Sequence, residues 1–418
     1  MALTQTAVRA AIRATNRVGS VLSRAGLSTI VLDEQPLLDA ARRATRLEDF
    51  GDDSFREPFR LLLRGIETEA RLTLLGRIVA RQDMIGLLVN RLHLQDDWKR
   101  NPGIGAEEIR RPVFIVGLPR TGSTLLHHLL AEDPSSRVAQ AWEVMCPSPP
   151  PTRERYETDP RIAQAARQLR WLDTLTPDFK AIHEVGAQLA LECIAIMSPS
   201  FLCWRFNTMY RVPTYQEWLE GQDLLPAYRF HRRFLQQLQW RAPAGRWVLK
   251  APSHMLAFDA LLETYPDAQI VQTHRDPLTV LASAASLTAV LYGAFTDQPD
   301  LAEIGREVSR RWTIGIERAL QFRGSGRVAA DRFLDVHYQD LVRDPLGTVR
   351  RIYDHFGIRL TGAAEARMRR FLAENPKDKH GPHRYSLETF GLDADDLACR
   401  FKAYRERFGI PSESAHGR

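Results

Sequence analysis

Apolar residues recur at three- and four-residue steps through much of the first hundred positions. Leu37, Leu38 and Ala41 form one stripe, Phe59, Leu62, Leu63 and Ile66 a second, and Leu74, Leu75, Ile78, Ile85, Leu88 and Leu92 a third. That spacing is the helical period, so residues 36–100 are expected to be helices. Asn101-Pro102-Gly103-Ile104-Gly105 then punctuates the chain. Beyond it the pattern changes to short apolar runs, each followed by a helical stretch: Val113–Val116 before Leu125–Leu130, and Arg246–Lys250 before a helix from Pro252-Ser253 through Leu261 and Leu262. Gln269–His274 precedes a helix capped by Asp276 with Pro277 first, and Arg332–His337 precedes one from about Leu346 to Phe356. Runs buried on both faces and alternating with helices predict an α/β fold with a parallel sheet flanked by helices. The expected organisation is a helical N-terminal extension, residues 1–105, packed on a main α/β domain, residues 106–418. A helix-like insertion is expected at about 141–240, with Pro147–Pro151 as a rigid, extended linker. Five of the eight tryptophans lie in it (Trp142, Trp171, Trp204, Trp218 and Trp240). Aromatics at helical spacing build core; an insertion between two strands also commonly covers a ligand at the strand ends.

Composition adds little constraint on the fold. Hydrophobic content of 44% and charged content of 26% are those of an ordinary globular protein. A net charge of +6 suits an anionic ligand, but the arginines are spread along the chain, which argues against nucleic acid as a partner. Cys146, Cys193, Cys203 and Cys399 are scattered without a CxxC pair, so free thiols in a reducing, cytoplasmic setting are expected, and no cluster has zinc spacing. Arg9, Arg13, Arg17 and Arg24 precede the first acidic residue, Asp33. A transit peptide or a helix in peripheral contact with a membrane has this pattern, and so does a solvated basic helix face.

The chemistry concentrates in Gly117-Leu118-Pro119-Arg120-Thr121-Gly122-Ser123-Thr124. A strand, a glycine turn and a helix start gather backbone N–H groups at the positive end of a helix dipole, which makes an anion site. Gly117 and Gly122 have the spacing of a nucleotide-triphosphatase loop, yet Ser123 stands where that loop needs lysine. The positive side chain is Arg120, inside the loop, and no aspartate presents itself as a magnesium ligand. A metal-free anion transfer is therefore expected.

GLPRTGSTLL resembles the 5′-phosphosulfate loop of sulfotransferases that use 3′-phosphoadenosine 5′-phosphosulfate, a family with a P-loop-like fold. Arginine at 120 is the form found in the protein-tyrosine branch, where cytosolic members carry lysine. The resemblance implies that Arg120, Thr121, Gly122, Ser123, Thr124 and Leu125 hold the 5′-phosphosulfate. It implies likewise that Arg275 and Ser283, eight residues apart in Thr273–Ser283, bind the 3′-phosphate, and that Tyr338 in Val336–Leu341 meets the adenine. The likeness spans roughly residues 111–357. The cytosolic closing string GDWKN is missing; Lys379–Tyr385 stands in its place and resembles the closing segment of a large, mainly bacterial branch, with His383 or Arg384 on a phosphate. No match to the cytosolic dimerisation motif is found, which leaves the oligomeric state open.

In-line sulfuryl transfer to a hydroxyl needs cations on the transferring oxygens and a base for the acceptor proton. Lys250 resembles the family lysine that contacts the bridging and sulfuryl oxygens. The base is either His254, four residues beyond it, or Glu143 in Gln140–Glu143, similar to the base glutamate of the protein-tyrosine branch; His183-Glu184 is a third choice. The expected acceptor is a small-molecule hydroxyl, apolar or lipid-like. A P-loop nucleotide kinase and a non-catalytic nucleotide-binding or membrane-interaction protein are the competing readings.

Overall fold

The computed structural model describes residues 14–21, 30–175, 186–242, 245–297, 299–375 and 386–413. Among them, five strands form one parallel sheet: β1 (Val113–Gly117), β2 (Ser136–Arg137), β3 (Arg246–Lys250), β4 (Gln269–His274) and β5 (Phe333–His337), in the spatial order β2-β3-β1-β4-β5. Four of these are the apolar runs expected from the sequence. The two-residue β2 carries too few positions to show a pattern.

Side chains alternate across the sheet. Phe114, Val116, Leu249 and Ile270 enter one apolar cluster, whereas Val113, Ile115, Val248 and Val271 enter another on the opposite face. Both faces are thus covered, as a parallel sheet requires. The larger cluster also takes in the N-terminal helices α1 (Glu34–Thr45), α2 (Arg56–Thr68) and α3 (Leu74–Arg100), together with Phe201, Phe206 and Tyr215 of the insertion. Most of the insertion's aromatics are therefore core. Arg91, buried on α3, donates to the carbonyls of Phe50 (2.6 Å), Asp52 (3.0 Å) and Pro199 (3.2 Å), tying these segments together.

Two expectations need correction. The buried stripe of α3 runs through Gly76, Ala80, Met84 and Leu88, while Leu74, Leu75, Ile78 and Ile85 are only half-buried. Small Gly76 lies against the Phe295 carbonyl, where a Cβ would come within 2.3 Å, and this close approach selects the face. The helix expected from Pro252 is broken: a 3-10 turn, Pro252–Leu256, meets a separate helix, Phe258–Thr264, at a non-helical Ala257. The cap at Asp276 forms as expected, its carboxylate accepting from Leu278 N at 3.2 Å at the start of the helix Pro277–Gly293. Among the described residues no helix is long and apolar enough to cross a membrane.

Because the strands are parallel, Gly117, Lys250, His274 and His337 emerge at the same edge of the sheet. The chain leaves β1 toward β2 on one side and leaves β4 toward β5 on the other, which opens a crevice between the carboxyl ends of β1 and β4. Below that crevice, His274 shares hydrogen bonds with Tyr404 OH (2.8 Å) and Asp335 Oδ1 (2.8 Å), and Arg323 grips the same carboxylate at 2.5 and 2.9 Å. Burial opposes the charge on Asp335, but the bonds from His274 and Arg323 outweigh it and hold this carboxyl well below the usual carboxylate range. Asp335→Asn should therefore lower the unfolding free energy by about 2 kcal/mol in urea melts at neutral pH. A depressed pKa stabilises above the unfolded value, near ~4, and that contribution is lost as pH falls through the folded value. The gap between wild type and variant should accordingly narrow on acidification.

Candidate active site

The anion loop is built on a close approach between strands. Gly117 has φ +132°, and a Cβ there would lie 2.3 Å from the Thr273 carbonyl oxygen. Only glycine fits. The buried Thr121 hydroxyl lies 2.7 Å from the Leu118 carbonyl and 2.6 Å from the Thr273 hydroxyl, itself 3.0 Å from the Val116 carbonyl. Two protons shared over three contacts lock the loop to β4. Gly122, at φ +82°, caps the helix Ser123–Ala131, and a Cβ on it would come within 2.8 Å of Leu341 and 3.2 Å of Tyr338. The first-turn N–H groups at Ser123, Thr124 and Leu125 thus stand at a helix start without helical acceptors of their own.

Arg120 occupies the left-handed region at φ +63° and donates through Nε to the buried Ser283 Oγ at 3.2 Å. Arg275, at the end of β4, donates through Nη1 to the Arg120 carbonyl (3.1 Å) and stacks 4.0 Å above the Tyr338 ring. Its Nε and Nη2 meet the Glu413 carboxylate at 3.1 and 2.9 Å. The structure therefore brings Arg120, Arg275, Ser283 and Tyr338 into one cluster beside the loop. A cavity of about 260 Å³ opens next to it, lined by Arg275, His337, Tyr338, Gln339, Ile410 and Glu413. On the other side of the loop, Lys250 Nζ donates to Thr124 Oγ1 at 3.3 Å and is ion-paired with Glu192.

The two groups expected to take the proton are placed differently. His254 is 1% exposed, with Nδ1 2.7 Å from Tyr228 OH and its ring edge-on to Phe114. Burial, then the neighbouring His231, hold its pKa well below the ordinary value. Glu143 is fully buried, and both oxygens are engaged: Arg137 on Oε1, and Gln140 N and Tyr156 OH, each at 3.0 Å, on Oε2. It closes a capping box at the start of the helix Ala141–Met145. As they stand, His254 belongs to an aromatic core cluster and Glu143 to a buried ion pair, surroundings that spacing does not reveal. His183, Glu184, His383 and Arg384 lie outside the described residues.

Sequence reasoning passed over Glu192 and Glu413. Glu192 did leave a signal: it is the lone charge in the apolar run Leu189–Met197. Glu413 left none, since its contact with Arg275 joins residues 138 positions apart.

Comparison with known proteins agrees with this fold. Residues 112–362 match the model of the Sulfotransferase family. The omega-hydroxy-beta-dihydromenaquinone-9 sulfotransferase Stf3 of Mycobacterium bovis is 28% identical over 283 residues, covering 66% of this chain and 70% of the relative. Among solved structures, sulfotransferase STF1 from Mycobacterium tuberculosis superposes with a TM-score of 0.80 at 36% identity, covering 89% of this chain and 98% of that one. Sulfotransferase STF9 from Mycobacterium avium gives 0.82 at 29%, covering 92% and 99%. With a family model spanning most of the α/β region and the parallel sheet arranged as described, the chain belongs to the sulfotransferase family.

Proposed function

We propose that this sulfotransferase moves a sulfuryl group from 3′-phosphoadenosine 5′-phosphosulfate to the hydroxyl of an apolar, lipid-like small molecule. The observation that carries the donor assignment is the direct hydrogen bonding of the two anion sites. Arg120 of the loop reaches Ser283, and Arg275 reaches the backbone of Arg120. One ligand with phosphates at both ends spans such a pair.

The residues present fit that ligand. Glu413 already places a two-oxygen anion on the Arg275 guanidinium, so this cation accepts the geometry that a 3′-phosphate offers. Tyr338 and the adjoining cavity supply a flat wall and space for a base. Loop amides from Thr121 to Leu125, with Arg120 and Ser123, would hold the 5′ end, and Lys250 beside Thr124 would meet charge developing on the bridging oxygen. Arg384, outside the described residues, is assigned to the 3′-phosphate by resemblance alone. Serine at 123 disfavours the kinase alternative.

The lipid-like acceptor rests on the menaquinone derivative named for the Stf3 relative. Peripheral membrane contact fits the same substrate class. The helix at 14–21 exposes Arg17, Val18 and Val21, two apolar residues beside a cation.

Titration with adenosine 3′,5′-bisphosphate tests the donor site. Wild type should bind, and Arg275→Ala should weaken binding by roughly 10- to 100-fold, the worth of hydrogen bonds to a charged group. No binding to wild type would defeat the donor assignment; unchanged affinity in the variant would defeat the role of Arg275. Flotation with vesicles containing anionic phosphatidylglycerol tests the membrane contact. The intact chain should co-float and a chain lacking residues 1–30 should not.

A further inference from the structure

Resting on the donor reading above, we infer that Thr273 is a positioning residue for donor binding. Through its hydroxyl contact with Thr121 it keeps the loop for the 5′ end in register with the arginine for the 3′-phosphate. The paired register of β1 and β4 ends at Gly117 and Thr273. Past that pair, two contacts carry the alignment into the site. One is the Thr121–Thr273 hydroxyl contact of 2.6 Å, and the other runs from Arg275 Nη1 to the Arg120 carbonyl at 3.1 Å. Arg120 and Thr121 are adjacent in the loop, while Thr273 and Arg275 stand two apart at the end of β4.

A ligand acts differently on the two contacts. The Arg275 guanidinium is partly exposed and is the group assigned to the 3′-phosphate, so a bound nucleotide draws on it directly. Thr121 and Thr273 are both 0% exposed, and their contact lies beneath the site whether or not it is filled. Gly117 makes room for this contact, since a Cβ there would come within 2.6 Å of the Thr273 hydroxyl.

Proton counting shows what the hydroxyl pair contributes. Each threonine has one hydroxyl proton to give. The pair makes three contacts: Thr121 with the Leu118 carbonyl at 2.7 Å, the two hydroxyls with each other, and Thr273 with the Val116 carbonyl at 3.0 Å. Two oxygens so close repel unless a proton lies between them. The chain therefore runs in one sense, from Thr273 through Thr121 to Leu118, or from Thr121 through Thr273 to Val116. Deleting either hydroxyl lets the other donate to its own carbonyl, and no buried O–H is stranded. What the pair fixes is the distance between loop and strand, more than the stability of the fold.

The test uses full-length Thr273→Val, Thr273→Ala and Thr273→Ser. Each is melted without ligand and titrated with adenosine 3′,5′-bisphosphate and with adenosine 5′-monophosphate. In Thr273→Val a methyl replaces the hydroxyl, and carbon cannot sit 2.6 Å from the Thr121 oxygen, so the loop is pushed off β4. A ligand with one phosphate can follow the loop; one with two must bridge a span that no longer matches. Wild type should prefer the bisphosphate, and that preference should fall about 10- to 100-fold in Thr273→Val, approaching the loss expected of Arg275→Ala. Adding Thr273→Val to Arg275→Ala should cost little more. Thr273→Ala should lose part of the preference, and Thr273→Ser, which keeps the hydroxyl, should retain it. Melting midpoints should stay within about 4 °C of wild type. A preference within about twofold of wild type in both Thr273→Val and Thr273→Ala would overturn the inference, whatever happens to the melts. So would an equal loss in Thr273→Ser. If wild type binds the bisphosphate no more tightly than the monophosphate, the donor reading falls and this inference with it.

Discussion

β1 and β4 can bring their carboxyl ends together only because position 117 carries no side chain. The Thr273 carbonyl occupies the space that a Cβ would need. From that contact follows the hydroxyl pair of Thr121 and Thr273, and from that pair the loop's orientation over the crevice. Arg275, two residues beyond Thr273, is then delivered to the Arg120 carbonyl. The two anion sites share a wall because one glycine lets two strands close, and the remaining geometry is a consequence of that closure.

Buried charge in this protein falls into two kinds. Arg137 and Glu143 are 9% and 0% exposed, with their hydrogen bonds directed at Tyr156, Gln140 and the Ala242 carbonyl. Breaking such a pair strands a charge, at a cost of about 3–5 kcal/mol, so it serves as architecture. Lys250–Glu192 and Arg275–Glu413 each join a cation at the strand ends to a carboxylate that is 20% exposed. The distinction separates a pair sealed in the interior from pairs that border solvent at the strand ends.

The apolar runs of β1, β3, β4 and β5 and the capped start at Asp276 were legible because burial on both faces and helix capping are local properties. Gly117 and Gly122 were legible by spacing, Arg120, Arg275 and Ser283 through family resemblance, and the structure gathers them. What escaped was set by packing across the chain. The stripe on α3 turned on Gly76 meeting Phe295, a contact that periodicity alone does not contain. The contact of Tyr228 with Nδ1 of His254 joins separate elements and leaves no trace in spacing. Glu143 beside Trp142 gave no hint of Arg137 beneath it. Glu192 was visible as a charge in an apolar run, but its pairing with Lys250 depends on where β3 ends.

Glu413 has a kinetic meaning that its geometry does not spell out. Because it belongs to the same chain as Arg275, it competes for that guanidinium at an effective concentration set by the fold. Any external anion meets a site that is already part-satisfied, and its apparent affinity is the intrinsic affinity multiplied by the fraction of time the carboxylate is away. The residues around Ile410–Glu413 thereby set how readily Arg275 takes up and gives up any external anion.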